Sequence, residues 1–273
     1  MLGFGDDFLR GDSQVEDGDM KLEILGCSGD VTGGRRTTAY LVDDRVLFDA
    51  GTVTDVLAPA RSRQISHVFL SHIHLDHVKG LCFLSEELSM EGDRSITVLG
   101  DGRVIEALSL HVFNNALWPN FTCLEDKEHP IVRTQAMEAL VYTAAHELRV
   151  KAVPVNHRIP TTGFVIKEGE ETVILTSDTG VTGELWEMAR KENNLKFIVA
   201  HVAFPDRLSS LAQRAGHMTP SVLFDRIDTF RLHHVPFYVA HMKSMFEEEI
   251  RDELAKAGRK NICPAEQGSI LVG

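Results

Sequence analysis

Positions 71–77 read Ser71-His72-Ile73-His74-Leu75-Asp76-His77, which puts three imidazoles and a carboxylate within six residues. Imidazole nitrogen and carboxylate oxygen both suit zinc and similar divalent ions. In an extended chain His72 and His74 point the same way and can pinch one ion. Asp76 and His77 come after a turn and can reach a second ion beside it. Solvated histidines decorating a loop would be a poor account of such density at the end of an apolar strand.

The elements that must hold this cluster are short apolar runs separated by turn signals. KLEILG (21–26), TTAYLVD (37–43) and RVLFDAG (45–51) read as strands, the last two joined by a tight turn near Asp44. After a helix-like stretch over 54–61, HVFLSH (67–72) is a buried strand that delivers the histidines into a loop. SITVLG (95–100) and a helix over 101–113 form a strand–helix unit. LRVKAVPV (148–155), FVIKEG (164–169) and TVILTSD (172–178) are further strands, with a turn at 169–171. The remainder alternates: helix 183–192, strand 196–201, helices 207–215 and 220–231, strand 237–241, helix 244–257 and strand 269–272. Hairpins and strand–helix units in each half predict an α/β fold, an αββα sandwich of two packed mixed β-sheets with helices on both outer faces. Without repeats or a linker, 21–273 reads as one domain, and the polar, Gly- and Asp-rich stretch 1–20 as a flexible arm.

Composition narrows the function. Lys and Arg total 28 against 40 Asp and Glu, a formal charge of −12. Such a surface repels a phosphate backbone at long range, which excludes an extended nucleic-acid partner but not a small anionic substrate, because bound cations reverse the local field. No apolar run approaches the roughly 20 residues of a spanning helix, so no membrane partner is expected, and the acidic N-terminus lacks the apolar segment of a signal peptide. Cys27, Cys82, Cys123 and Cys263 lie far apart, as reduced thiols do. The expectation is a cytoplasmic protein that assembles as a homo-oligomer, a dimer.

His72-x-His74-x-Asp76-His77 resembles the motif of the metallo-β-lactamase superfamily, and the likeness extends from about residue 21 to the C-terminus. Superfamily members complete two metal sites with a later His, a bridging Asp and a last His. His157 in VPVNHRIPTTGFVI, Asp178 in ILTSDTG and His241 in FYVAHMKS match those places, each at a strand end. Alone, either histidine would read as structural and Asp178 as a turn residue. The resemblance implies one ion on His72, His74 and His157, a second on Asp76, His77 and His241, and Asp178 between them. Five imidazoles among seven ligands favour zinc, with manganese or iron as alternatives.

Within the superfamily the chain is similar to class II cyclic-nucleotide phosphodiesterases over 72–81, at Ser85, over 110–121 and 159–164, at Phe204-Pro205, Gly216-His217-Met218-Thr219-Pro220 and His241-Met242-Lys243. It departs from them at Cys82, Phe83 and Glu86, and at His201, where an acidic residue is more usual. The likeness implies hydrolysis of 3′,5′-cyclic nucleotides (cAMP or cGMP) to nucleoside 5′-phosphates by a metal-bridging hydroxide, with Asp76 and His217 as catalytic residues and His217 as proton donor to the leaving oxygen. Asp49 ends an apolar strand below the cluster, where a carboxylate can accept the second N–H of a ligating imidazole or simply form a turn. His111, Asn114 and Trp118 are spaced as one helical face. Packing accounts for Trp118; if the face overhangs the metals, His111 and Asn114 contact the substrate base. The alternatives are a ribonuclease Z-like tRNA 3′-processing endonuclease, a thioester or lactone hydrolase, and a non-catalytic metal- or nucleotide-sensing module.

Overall fold

Alternation of side chains across each strand sorts the apolar residues onto two faces. The computed structural model describes residues 20–90, 94–123 and 130–273. Among them, the first half contributes β1 (Lys21–Gly26), β2 (Ala39–Val42), β3 (Val46–Phe48), β4 (His67–Phe69), β5 (Ile96–Asp101) and β6 (Val132–Met137), with helices α1 (Pro59–Ser62), α2 (Leu75–Ser89) and α3 (Gly102–His111). The second half contributes β7 (Tyr142–Ala145), β8 (Leu148–Pro154), β9 (Thr162–Glu168), β10 (Glu171–Leu175), β11 (Leu195–His201), β12 (Phe237–Ala240), β13 (Ile262–Pro264) and β14 (Ile270–Val272), with α4 (Glu184–Lys191), α5 (Ser209–Ala215), α6 (Pro220–Phe230) and α7 (Glu247–Ala257). The described strands form two seven-stranded sheets, ordered β14-β1-β2-β3-β4-β5-β6 and β13-β12-β11-β10-β9-β8-β7. Each sheet is antiparallel on one side and parallel on the other, with β3 to β6 and β10 to β13 parallel.

Tyr40, Phe48, Phe69, Val173, Leu175 and Val199 fill the layer between the sheets. Their neighbours Leu41, Leu47, Val68 and Leu70 face outward against α2 and α3, while Ile174, Ile198 and Ala200 pack under α4, α6 and α7. The predicted sandwich of two mixed sheets with outer helices is the observed fold. No helix among the described residues is long and apolar enough to cross a membrane. The expected arm over 1–20 lies outside the described residues except for Met20, which is fully buried in the inter-sheet core.

Several expected boundaries need correction. The histidine-rich segment is loop only through His74, the extended residue that precedes α2, and Asp76 and His77 already occupy the first helical turn. The buried stripe Val78, Leu81, Cys82, Ser85 and Leu88 holds that helix to its sheet. The helix expected over 54–61 is only the single turn of α1, and α3 stops at His111. Strands β6, β7 and β13 have no counterpart in the sequence reading, and each lies at a sheet edge.

One contact ties the fold to the histidines. Ala50 N donates to the His77 carbonyl and Gly80 N to the Ala50 carbonyl, both at 2.7 Å, so the first turn of α2 is clamped to the end of β3. Gly51 permits this approach, since a Cβ there would lie 2.0 Å from the Asp76 carbonyl oxygen. Backbone on backbone cannot relax cheaply. Gly51→Ala should therefore lower stability by about 1–3 kcal/mol, read as a lower urea midpoint at unchanged slope; an unshifted midpoint would show that the clamp yields.

Candidate metal centre

The cluster residues follow the carboxyl ends of strands that run the same way, the end at which open α/β sheets bind ligands. His72 follows β4, His157 follows β8, Asp178 follows β10 and His241 follows β12. Asp49, Ser177 and His241 hold left-handed backbone, with φ of 55°, 53° and 63°. Such strain in non-glycine residues needs support from the surroundings, and here it turns the chain sharply where each strand ends.

The structure brings together all seven residues that the sequence assigned to metal. Donor atoms of His72, His74, His157 and Asp178 lie within 4.8 Å of one another, as do those of Asp76, His77 and His241. Asp178 joins the two sets. Its Oδ2 is 3.3 Å from His241 Nε2, 3.5 Å from His77 Nε2, 3.7 Å from His72 Nε2 and 4.0 Å from His157 Nε2. His74 Nδ1 stands 2.9 Å from His72 Nε2 and 3.3 Å from His157 Nε2.

Outward partners set the tautomers. Asp49 accepts hydrogen bonds from Ser71 N, the Ser71 hydroxyl and His77 Nδ1 at 2.7–2.8 Å. Because the Ser71 hydroxyl donates to Asp49, it accepts from His72 Nδ1 at 2.9 Å. His157 Nδ1 donates to the Gly216 carbonyl at 2.9 Å, and His241 Nδ1 meets the Thr38 hydroxyl at 3.1 Å. With their Nδ1 atoms engaged outward, these rings turn Nε2 toward Asp178, the arrangement that holds ligating histidines in metal sites. Asp49 thus has the imidazole partner the sequence suggested.

Among the described residues, His77 Nε2 and His241 Nε2 are buried without a hydrogen-bond partner, a state that native interiors rarely tolerate. Divalent cations would satisfy both atoms, and nitrogen with carboxylate oxygen is the donor chemistry such ions prefer, so the residues present fit the group. Burial pushes His72 and His241 well below the usual imidazole range. Burial also opposes charge on His77, but Asp49 and Asp178 outweigh it and raise that ring well above its usual range. Burial likewise disfavours the Asp178 anion, and His241 and His77 overcome this to hold its carboxyl well below the usual range.

His217, which the sequence kept apart from the ligands, approaches the same carboxylate, with Nδ1 4.0 Å from Asp178 Oδ2. Burial, aided by His157, pushes it down to about 4 against the opposing pull of Asp178. Gly216, at φ 74°, ends α5 and packs its Cα side on His157, where a Cβ would come within 3.0 Å of His157 Cα. One turn therefore fixes His157 and presents His217. The expected face of His111, Asn114 and Trp118 does not form, because α3 ends at His111. Asn114 spends its side chain on the Leu110 carbonyl and on the Ala116 and Leu117 amides, while Trp118 donates to the Cys82 carbonyl. His111 is exposed. Sequence reasoning missed Thr38, the second of two threonines that lead into an apolar strand. It also assigned no role to Lys243, whose Nζ lies 4.0 Å from Asp76 Oδ2.

Residues 44–236 match the model of the family described as Beta-lactamase superfamily domain. The chain belongs to that family. Among superfamily relatives, it is 26% identical to a probable 3′,5′-cyclic-nucleotide phosphodiesterase of Yersinia pestis, across 84% of this chain and 79% of that one. It is 32% identical to a ribonuclease Z of Leuconostoc mesenteroides, across 55% of this chain and 48% of that one. Unliganded yeast PDE1 superposes with a TM-score of 0.77 at 18% identity, covering 93% of this chain and 99% of that one. The metallo-beta-lactamase fold protein YhfI of Bacillus subtilis superposes with a TM-score of 0.74 at 18% identity, over 93% and 100%. The superfamily fold implies divalent metal ions, and the His/Asp cluster fits such a site.

Full loading should give two zinc ions per chain by elemental analysis. Asp178→Ala should lower occupancy of both, because Asp178 Oδ2 lies 3.3–4.0 Å from imidazole nitrogens of both donor sets. One ion in the fully loaded wild type, or loss of one ion alone in the variant, would contradict a shared ligand.

Proposed function

We propose that this chain is a metal-dependent phosphodiesterase that hydrolyses 3′,5′-cyclic nucleotides to nucleoside 5′-phosphates. The observation that carries the reading is the meeting of both donor sets and His217 on one oxygen of Asp178. Reaction at a single phosphorus needs that convergence, with cations on one side and a proton donor at the edge. His72, His74 and His157 would hold one ion, Asp76, His77 and His241 the other, and Asp178 both. When bound, such ions supply Lewis acidity at the phosphoryl group and bring the pKa of water toward neutrality.

The side chains account for the rest of the reaction. Water adds to phosphorus and the bond to the 3′ oxygen breaks, so that oxygen needs a proton. In this reading His217, beside the shared carboxylate, gives it. With its pKa near 4 the free ring is unprotonated at neutral pH, and the negative charge of a bound phosphodiester favours its protonated form. Lys243 adds positive charge at the rim. Two observations favour a small cyclic substrate over tRNA: the formal charge of −12, and the extent of the match to the Yersinia pestis relative, beside about half a chain for the ribonuclease Z.

A hydrolysis panel tests the substrate. Cyclic AMP or cyclic GMP should turn over far faster than a tRNA precursor, with little of the steep salt dependence that many phosphate contacts produce. Efficient tRNA processing with both cyclic nucleotides inert would replace this reading with the endonuclease.

His217→Ala tests the proton donor. Turnover of cyclic AMP should fall by on the order of 10²–10⁴ with metal retained, whereas a p-nitrophenyl phosphodiester, whose leaving group is stable as an anion, should lose much less. Equal losses would indicate substrate positioning, and loss of metal would make His217 a ligand.

A further inference from the structure

The second oxygen of Asp178 does not face the cluster. Oδ1 lies 2.9 Å from His201 Nδ1, and His201 Nε2 lies 2.9 Å from the Tyr40 hydroxyl. All three residues are at most 2% exposed. Tyr40 sits in β2 of one sheet, His201 ends β11 of the other, and Asp178 follows β10, so the chain of hydrogen bonds crosses the inter-sheet layer directly beneath the donors. His201 is anchored at its own backbone, where its N–H donates to the Thr176 hydroxyl at 3.0 Å. Its ring stacks on His241 with centroids 4.9 Å apart and planes within 5°.

The chemistry of the partners fixes the protons. A carboxylate oxygen only accepts, so His201 Nδ1 carries the hydrogen. Nε2 of the neutral ring is then an acceptor, and the Tyr40 hydroxyl donates to it. Burial, assisted by nearby Cys27 and Asp49, raises Tyr40 well above the usual phenol range, so its proton stays in place.

We infer that His201 and Tyr40 are positioning residues that lock the shared carboxylate, Tyr40 bracing His201 by donating to its Nε2 and His201 occupying Oδ1 so that only Oδ2 is presented to the two donor sets. The inference rests on reading Asp178 as the shared ligand. Without the N–H of His201 the carboxylate can rotate about its Cβ–Cγ bond and offer either oxygen, which loosens both sets at once. The acidic residue more usual at this place cannot donate in its ionised form, so the lock belongs to the histidine.

The test uses the full chain stripped of metal, with zinc titrated against a competing chelator at one fixed pH and histidine nitrogens followed by NMR. His201→Leu should weaken zinc binding by about 10- to 100-fold, the usual effect of removing a partner of a metal ligand. His201→Asn, whose carboxamide can donate from nearly the Nδ1 position, should recover most of that loss. Tyr40→Phe keeps an aromatic ring in the core and removes only the brace at Nε2, so it should leave the His201 proton on Nδ1, where Asp178 holds it, and cause a smaller loss of affinity. If His201→Leu fails to fold, the Asn and Tyr40→Phe variants decide the matter. Wild-type affinity in His201→Leu, an Asn variant as weak as Leu, or a wild-type proton on Nε2 would each overturn the lock while leaving the centre intact. Wild type that takes up no divalent ion would overturn the centre, and the lock with it.

Discussion

A single buried carboxylate oxygen facing a ring of imidazoles is the constraint on which the rest of this structure turns. Among the described residues, Asp178 Oδ2 has nitrogens of His72, His77, His157, His217 and His241 within 4.0 Å. Acceptors converging in a low-dielectric interior repel one another unless protons or cations intervene. The protein holds them together from behind. Asp49, Ser71, Thr38 and the Gly216 carbonyl each engage the far side of a ring, and His201 does the same for the carboxylate. The sharp left-handed strand ends at Asp49, Ser177 and His241 follow from the same need, since a regular strand would carry these side chains past the meeting point.

What the sequence showed plainly was whatever is fully buried or chemically dense. Strands of the sheet interiors, such as AYLV, TVIL and FYVA, are largely apolar on both faces and stand out from the turns around them. The H-x-H-x-D-H segment announced itself by composition alone. Strands β6, β7 and β13 did not, because an edge strand borders solvent. VRTQAM has four exposed residues in its middle, and YTAA buries only its last. Helix α2 was hidden by its own chemistry, as the eye stops at the histidines and overlooks the apolar stripe beginning at Val78.

The site was legible in the residues that meet the cluster and illegible in the residues that hold them. His157, Asp178 and His241 could be placed through likeness to a family. Thr38, Gly51 and Tyr40 could not, because a threonine, a glycine and a tyrosine in or beside apolar strands carry no chemical signal until the fold brings them within reach of a ring or a carbonyl. His201 was visible only as a departure from pattern, and its hydrogen bonds to Asp178 and Tyr40 give that departure a physical content. The helical face drawn through His111, Asn114 and Trp118 failed for a local reason: Asn114 caps a turn instead of continuing a helix.

The partners of the centre lie far apart along the chain, Thr38 from His241 by 203 residues and Tyr40 from His201 by 161. Contacts of such separation form late, after the entropy of closing long loops has been overcome. A chain still emerging from the ribosome would expose His72, His74, Asp76 and His77 long before His157, Asp178 and His241 arrive, and could offer a passing cation only a partial, unsupported grip. Capture of cations at this site would thereby be tied to closure of the two sheets on each other, so that loading the centre would mark a finished molecule instead of guiding an unfinished one.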